Sequence, residues 1–362
     1  MMPERIGMHK VSNISQGLVN RKGEILYYHK LMKTSIKSIF NHRKHAVADF
    51  KRDLYCMAEY VLFPSGKLLR PIIMLLACEA VGGDATKIIE AAVGSEFGHT
   101  ASLVHDDIID KADKRRGKES LNQLFGIENS ILCGDLLIFE SFLSLARTSN
   151  YRIEDRYVVE ALKVVSRSCI DMSLGQNIEQ KFVYNMNLSP EQYIEIIRYK
   201  TASFIRGVAE SGAILGGGNE AMIDALRTYG ESIGIAFQIT DDILDFTGNP
   251  KRINKPAGYD FKNGILTLPL ILAMEKMDQD QRRELTELFY SQGGRSQFRR
   301  LQQKVAENGG LELAADIAIF YATYGKNALS MLPRSRARED LAVIADFCAL
   351  RGGGWWGENH EM

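Results

Sequence analysis

The chain has 362 residues, 45% of them hydrophobic, enough for one large domain or two ordinary ones with a substantial core. Its 45 basic and 45 acidic side chains cancel, which disfavours a nucleic-acid partner and leaves phosphate binding to local clusters. The five cysteines (Cys56, Cys78, Cys133, Cys169, Cys348) form no CxxC pair, so neither a disulfide framework nor a zinc site is indicated, and a reducing compartment fits.

Residues 1–48 hold nine Lys or Arg but only Glu4 and Glu24 as acids, with four of the seven histidines. Such a stretch reads either as a mitochondrial presequence or as a basic extension docked on the body, and the second reading leaves the protein cytoplasmic. No later segment offers the ~18 uninterrupted apolar residues of a bilayer span; the best, PIIMLLACEAV, is broken by Glu79.

From residue 49 onward the apolar spacing is helical nearly everywhere. Ile89, Val93, Phe97, Ala101, Val104 and Ile108 recur at steps of three or four, as do Tyr229, Ile233 and Phe237. The interruptions are helix stops: GGD at 82–84, GGGN at 216–219, the stretch 247–260 and NGG at 308–310. LSPEQY predicts a helix start with Ser189 as N-cap and Pro190 at the first position. A single all-α domain of roughly a dozen helices over 49–351 follows, with 352–362 a loose tail.

The chemistry concentrates in a few blocks. SGKLLRP supplies Lys67 and Arg70 three residues apart. A helix over 88–110 puts Asp106 and Asp110 on one face, continued toward its N-terminus by Ser102 and His99. Two carboxylates at that spacing repel, and a divalent cation reverses the sign: Mg²⁺ takes one or two carboxylates plus substrate oxygens and water. Ten of the fourteen positions from Asp106 to Glu119 are charged, which alone fits a solvated face.

FQITDDILDF repeats the pattern, with Asp241, Asp242 and Asp245 at identical spacing and Gln238 one turn earlier. Two such patches facing each other would clamp one polyanion through metal. The cations agree. Arg115 and Arg116 follow the first patch, Lys200 and Thr201 sit in RYKTASFI, and Lys255 and Lys262 follow the second patch.

Taken in order, GKLLRP, HTASLVHDDIIDKADKRRG, KTAS, GIAFQITDDILDF and NKPAGYDFKNGILTLPLI resemble the blocks of the trans-isoprenyl (all-trans polyprenyl) diphosphate synthases. The match spans about residues 49–351 and looks closest to catalytic subunits of solanesyl or decaprenyl diphosphate synthase. The resemblance implies a helical bundle around a deep central cavity, and a dimer of identical or related subunits. It also implies Mg²⁺, three ions with substrate bound, and head-to-tail joining of isopentenyl diphosphate to an allylic diphosphate. Peripheral membrane contact for product release is part of the same expectation.

Carried over by position, Lys67, Arg70, His99 and Arg116 would bind isopentenyl diphosphate. Asp106, Asp110, Asp241 and Asp245 would be the principal metal ligands, with Asp107 and Asp242 supporting. Arg115, Lys200 and Lys255 would hold the allylic diphosphate, with Thr201 and Gln238 near the developing cation. Two departures stand out: Ile265 occupies a position that is lysine in many relatives, and FPSGKLLRP lacks the usual glycine-rich lead.

Product length is partly readable. The tail is expected to run down the Asp106 helix, where Ser102 and Ala101 stand in place of an aromatic wall. Phe97, Phe139 and Phe142 are candidate linings or floor, or ordinary core. A product of about C30–C50, plausible for a quinone side chain, is expected, with C20 as the nearer alternative. A class I terpene cyclase would not need the second diphosphate cluster, and a non-catalytic partner subunit would lack one aspartate patch.

Overall fold

The computed structural model describes residues 22–63, 66–247, 258–291 and 294–350. Helices dominate: α1 (Lys22–His45), α2 (Asp53–Leu62), α3 (Leu69–Ala80), α4 (Ile89–Ile109), α5 (Leu121–Phe125), α6 (Ile127–Ala146), α7 (Asp155–Phe182), α8 (Pro190–Ile197), α9 (Ser203–Leu215), α10 (Glu220–Thr247), α11 (Tyr259–Lys262), α12 (Leu268–Lys276), α13 (Gln279–Tyr290), α14 (Arg295–Glu307), α15 (Gly310–Ala328) and α16 (Arg336–Leu350). The expected start at Ser189 is a full capping box: the Ser189 hydroxyl accepts from Gln192 N, and the Gln192 side chain accepts from Ser189 N.

Among the described residues the strands are confined to one two-residue hairpin, Lys114–Arg115 against Lys118–Glu119. Its turn, Arg116–Gly117, has positive φ at both residues (51° and 78°), as a tight hairpin of matching twist requires. Sequence periodicity cannot register so short a ladder.

Two apolar clusters form the core. One gathers α1, α3, α4, α6 and α9; the other gathers α8 and α12 to α15. Helix α10 feeds both, through Ile233 and Ala236 on one side and Ile235 and Ile239 on the other. It is the spine to which both halves pack.

The body begins earlier than residue 49. Ile25, Met32, Ile36 and Phe40 of α1 are all buried in the first cluster. Arg43 bridges Glu90 of α4 (2.7 Å) and Glu140 of α6, and Tyr55 donates to Glu140 (2.6 Å). Helix α1, inside the basic segment 1–48, is thus packed into the core; residues 1–21 and 351–362 lie outside the described residues.

Residues 127–151 are long and apolar enough by composition to cross a membrane, with mean hydropathy 1.4. The buried Glu140, ion-paired to Arg43, and the packing of α6 along α4 make this a core helix. In the sequence, Glu140 and its polar neighbours break the apolar run.

Candidate active site

The site is built at the C-terminal end of α4. Asp110 caps the helix, its N–H bonded to Asp106 O (2.8 Å), so the two carboxylates stand one turn apart as expected. Burial raises the Asp106 pKa and the like charge of Asp110 adds to it, against the pull of Lys200 and Arg115. Asp107 points elsewhere. It is buried and accepts from Arg115 Nε through both oxygens (2.9 and 3.1 Å). Arg115 thus serves first to hold Asp107, a partner that spacing alone did not suggest.

The hairpin turn separates the two arginines. Arg115 folds back on Asp107, whereas the Arg116 guanidinium lies against Gly66, where a Cβ would come within 2.6 Å of its Nη2. The flexible Arg116 tip could swing clear of such a Cβ, so the approach marks proximity of the Lys67 loop to the hairpin and not a need for glycine.

Lys200 and Thr201 lie in a π-helical turn, Arg198–Ala202, inserted between α8 and α9. Such turns re-aim side chains within a helix and recur at functional sites. Two glycines admit the widened turn: a Cβ at Gly175 would sit 2.3 Å from Lys200 N, and one at Gly234 would sit 2.6 Å from Ala202 Cα. The Lys200 ammonium is ion-paired to Glu179 of α7. Burial pulls its pKa down, but Glu179 and then Asp106 outweigh burial, so it stays charged.

Opposite, α10 presents the second cluster. Asp242 is buried and accepts from Gln238 Nε2 (2.8 Å) and from the Tyr193 hydroxyl. Gln238 in turn accepts from Thr201 Oγ1 (2.8 Å). Asp245 accepts the backbone N–H groups of Tyr259 (3.2 Å) and Asp260 (3.3 Å), so it anchors α11 as well as facing the site. Asp241 is the most open of the three.

The clusters share a cleft. Lys200 feels Glu179, Asp106 and Asp110, and the Tyr193 phenol is raised by burial, Asp242 and, further off, Asp260 and Glu179. Tyr259, pushed up to about 12 by burial and then Asp110, interacts also with Arg115 and Asp107. A chain of charged and phenolic groups therefore runs from one aspartate cluster to the other.

A second cationic group adjoins the first. Leu68 adopts φ 53°, rare for a bulky residue, and the sharp turn starts α3 with Arg70 in its first turn. The Arg70 guanidinium lies 5.9 Å over the Phe204 ring, and Lys67 Nζ lies 5.4 Å over Phe347. His99 is held well below the usual imidazole range by burial and by Arg70, Arg116 and Arg115, which keeps it neutral. Lys255 lies outside the described residues.

The donor set fits a hard divalent cation. Asp106 and Asp110 offer oxygen only, carry like charge one turn apart, and face Lys200. Among the described residues no three His, Cys, Asp or Glu side chains converge on one point. Each cluster therefore offers the one or two carboxylates that Mg²⁺ takes beside substrate oxygens and water.

Below Asp106 on α4 the residues are small. Ala101 is fully buried, and the half-buried Ser102 donates to His99 O (2.8 Å). Further down, a void of about 10 Å³, room for about one water molecule, lies among α3, α4, α6, α7 and α9, lined by Ala91, Gly94, Ser141, Phe204 and Val208 among others. It is smaller than the ~300–1,000 Å³ usual for a small-molecule pocket. Phe97 does not line it: its ring packs on Phe40 and under the Arg43 guanidinium. Phe139 is 68% exposed on the outer face of α6, which removes it as a floor, and Phe142 is half-buried against the core. Helical phase explains the two rings of α6, since Phe139 and Phe142 stand off the Ser141–Leu145 face that lines the void.

Residues 51–305 match the family model for polyprenyl synthetases. The chain belongs to this family. The short chain isoprenyl diphosphate synthase of Methanothermobacter thermautotrophicus is 37% identical over 294 residues, 81% of this chain and 89% of that protein. The octaprenyl diphosphate synthase of Haemophilus influenzae is 28% identical, over 90% of this chain and 97% of that one. The geranylgeranyl pyrophosphate synthetase structure from Pyrococcus horikoshii aligns with TM-score 0.82 at 31% identity, covering 94% of this chain and 99% of that one. As a polyprenyl synthetase the chain is a prenyltransferase of all-α isoprenoid-synthase fold.

Several residues of this polyprenyl synthetase escaped the sequence reading: Glu179, Tyr193, Tyr259 and the glycines that admit the π turn. One signal was available. Gly175 stands inside a long helical pattern with no stop around it, which usually marks close backbone approach.

Proposed function

We propose that this prenyltransferase condenses isopentenyl diphosphate with an allylic diphosphate, head to tail, and builds an all-trans product of about C30–C50, suited to a quinone side chain. The observation that carries this reading is the coexistence in one cleft of two charged clusters, each suited to hold an anion. One combines both aspartate clusters with Lys200; the other is the cluster of Arg70, Arg116 and His99.

In the reaction the allylic C–O bond breaks and the diphosphate leaves with the electron pair. The π electrons of isopentenyl diphosphate form the new C–C bond at the allylic carbon. Loss of a C2 proton to the departing diphosphate restores an allylic double bond. Mg²⁺ held by Asp106 and Asp110, and by Asp241 opposite, would neutralise the leaving group when bound. Lys200 adds a fixed charge there, while the Thr201 hydroxyl and Gln238 amide, locked by their mutual bond, present dipoles beside the cation path. The buried walls keep water away.

Support for a long product is the run of small residues Ser102, Ala101, Gly98 and Gly94 on α4. A C20 product is favoured instead by the Phe204 ring, which lies within 3.0 Å of where a Gly98 Cβ would be. Pairing of two chains is supported by apolar side chains exposed on α6, Ile127, Ile131, Leu132, Phe139 and Leu143. Incubation with labelled isopentenyl diphosphate and C10, C15 or C20 primers, with and without Mg²⁺, tests the whole. Chain elongation to C30 or beyond is expected; termination at C20 would select the shorter reading, and no elongation would end both.

A further inference from the structure

Glu96 has no role in the reading above, yet it lies inside the cluster assigned to isopentenyl diphosphate. It stands on α4 one turn before His99, 4% exposed, and among the described residues no hydrogen bond or close ion pair satisfies it. A carboxylate in that position is costly while ionised. The charges that face it are Arg70 from α3 and Arg116 from the hairpin. Burial outweighs them and pushes its pKa up to about 7.

The other charges packed on α4 are engaged elsewhere. Arg43 of α1 and Glu140 of α6 bind each other, with Glu90 on the second side of Arg43. Lys44 of α1 pairs with Glu59 of α2. His99 is neutral. A diphosphate arriving between Arg70 and Arg116 would set a second anion against the Glu96 carboxylate, and like charges in one buried site do not both stay ionised.

We propose that Glu96 is a positioning residue of this pocket, balancing Arg70 and Arg116 before substrate arrives and taking a proton from solvent as the diphosphate replaces it between them. The proposal rests on reading Arg70 and Arg116 as diphosphate ligands. Arginine favours the fully ionised diphosphate, so the ligand itself releases protons on binding rather than absorbing them, and net uptake points to the protein.

Titration calorimetry of isopentenyl diphosphate alone into the full-length protein at pH 8, in two buffers of different ionisation enthalpy, reads this directly. Wild type is expected to take up close to one proton, and Glu96→Gln none. Above pH 7 the wild-type KM for isopentenyl diphosphate is expected to rise about tenfold per pH unit relative to Glu96→Gln, whose amide cannot ionise. Parallel pH profiles, absence of uptake by wild type, or uptake that persists in Glu96→Gln, with the neutral His99 taking the proton, would overturn the role of Glu96; absence of uptake by wild type does so even where the variant does not fold. Failure of wild type to bind isopentenyl diphosphate at all would instead overturn the underlying diphosphate reading.

Discussion

Gly175→Ala tests how tightly the π turn is held. An ideal Cβ there would lie 2.3 Å from Lys200 N, 2.6 Å from Lys200 Cα and 2.7 Å from the Tyr199 carbonyl carbon. All three are backbone atoms, so no side-chain rotation relieves the contact. Ordinary carbon contacts begin near ~3.5 Å, so α7 and the turn must part by about 1 Å. Overpacking of this kind costs about 1–3 kcal/mol. At an unfolding entropy of about 2.1 cal/mol/K per residue, that lowers Tm by about 1–4 °C for 362 residues. The larger effect falls on chemistry, because Lys200 and Thr201 move with the turn, and a displacement near 1 Å costs about 100-fold in rate. Steady-state elongation with labelled isopentenyl diphosphate, alongside thermal denaturation, measures both. A kcat within twofold of wild type would show that the turn does not position Lys200.

Arg43→Met removes the cation between Glu90 and Glu140 and leaves two buried carboxylates; a loss of about 3–5 kcal/mol is expected, read as a lower urea midpoint. Ala101→Phe places an aromatic ring about 7–8 Å below Asp106 on α4, and chromatography of the products should show chains shortened to C20 or less with turnover retained. Glu96 also marks stability. Its carboxyl titrates near 7 when folded against 4.5 as the ordinary value, so the folded state holds a proton that the unfolded chain releases between those pH values. Denaturant midpoints should therefore fall as pH rises from 4.5 to 7 and level off above; Asp242, also pushed up to about 7, adds to that slope, and Glu96→Gln should reduce it by the Glu96 share.

Helical class, the Asp106–Asp110 pair and the Ser189 cap were legible because each depends on residues within one or two turns of each other. The partners of those residues were not. Asp107 is claimed by Arg115 through a hairpin whose strands are two residues long, and Lys200 meets Glu179 only because α7 lies beside the π turn. Periodicity also placed Phe97 on the right helix without fixing which neighbour its face would meet. That neighbour is α1, a segment whose basic composition resembles a targeting sequence although its apolar stripe belongs to the core. Composition averages over both faces of a helix, and the stripe is what folds.

The two aspartate clusters share a spacing but not an electrostatic state, and the difference bears on what each does. Asp242 and Asp245 are supplied with donors from the protein: a phenol, an amide and two backbone N–H groups. Their geometry is set before any ligand arrives, and α11 is tied to it. Asp106 has no such supply; burial and the charge of Asp110 both act against its ionised form, and Lys200, its principal counter-charge, is shared with Glu179. Burial and the neighbouring Asp241 and Asp245 charges nevertheless push Asp242 up to about 7, so both clusters stand to gain from a cation. The difference is one of preorganisation: protein donors already fix the α10 cluster, so added Mg²⁺ should reorganise the α4 pair more.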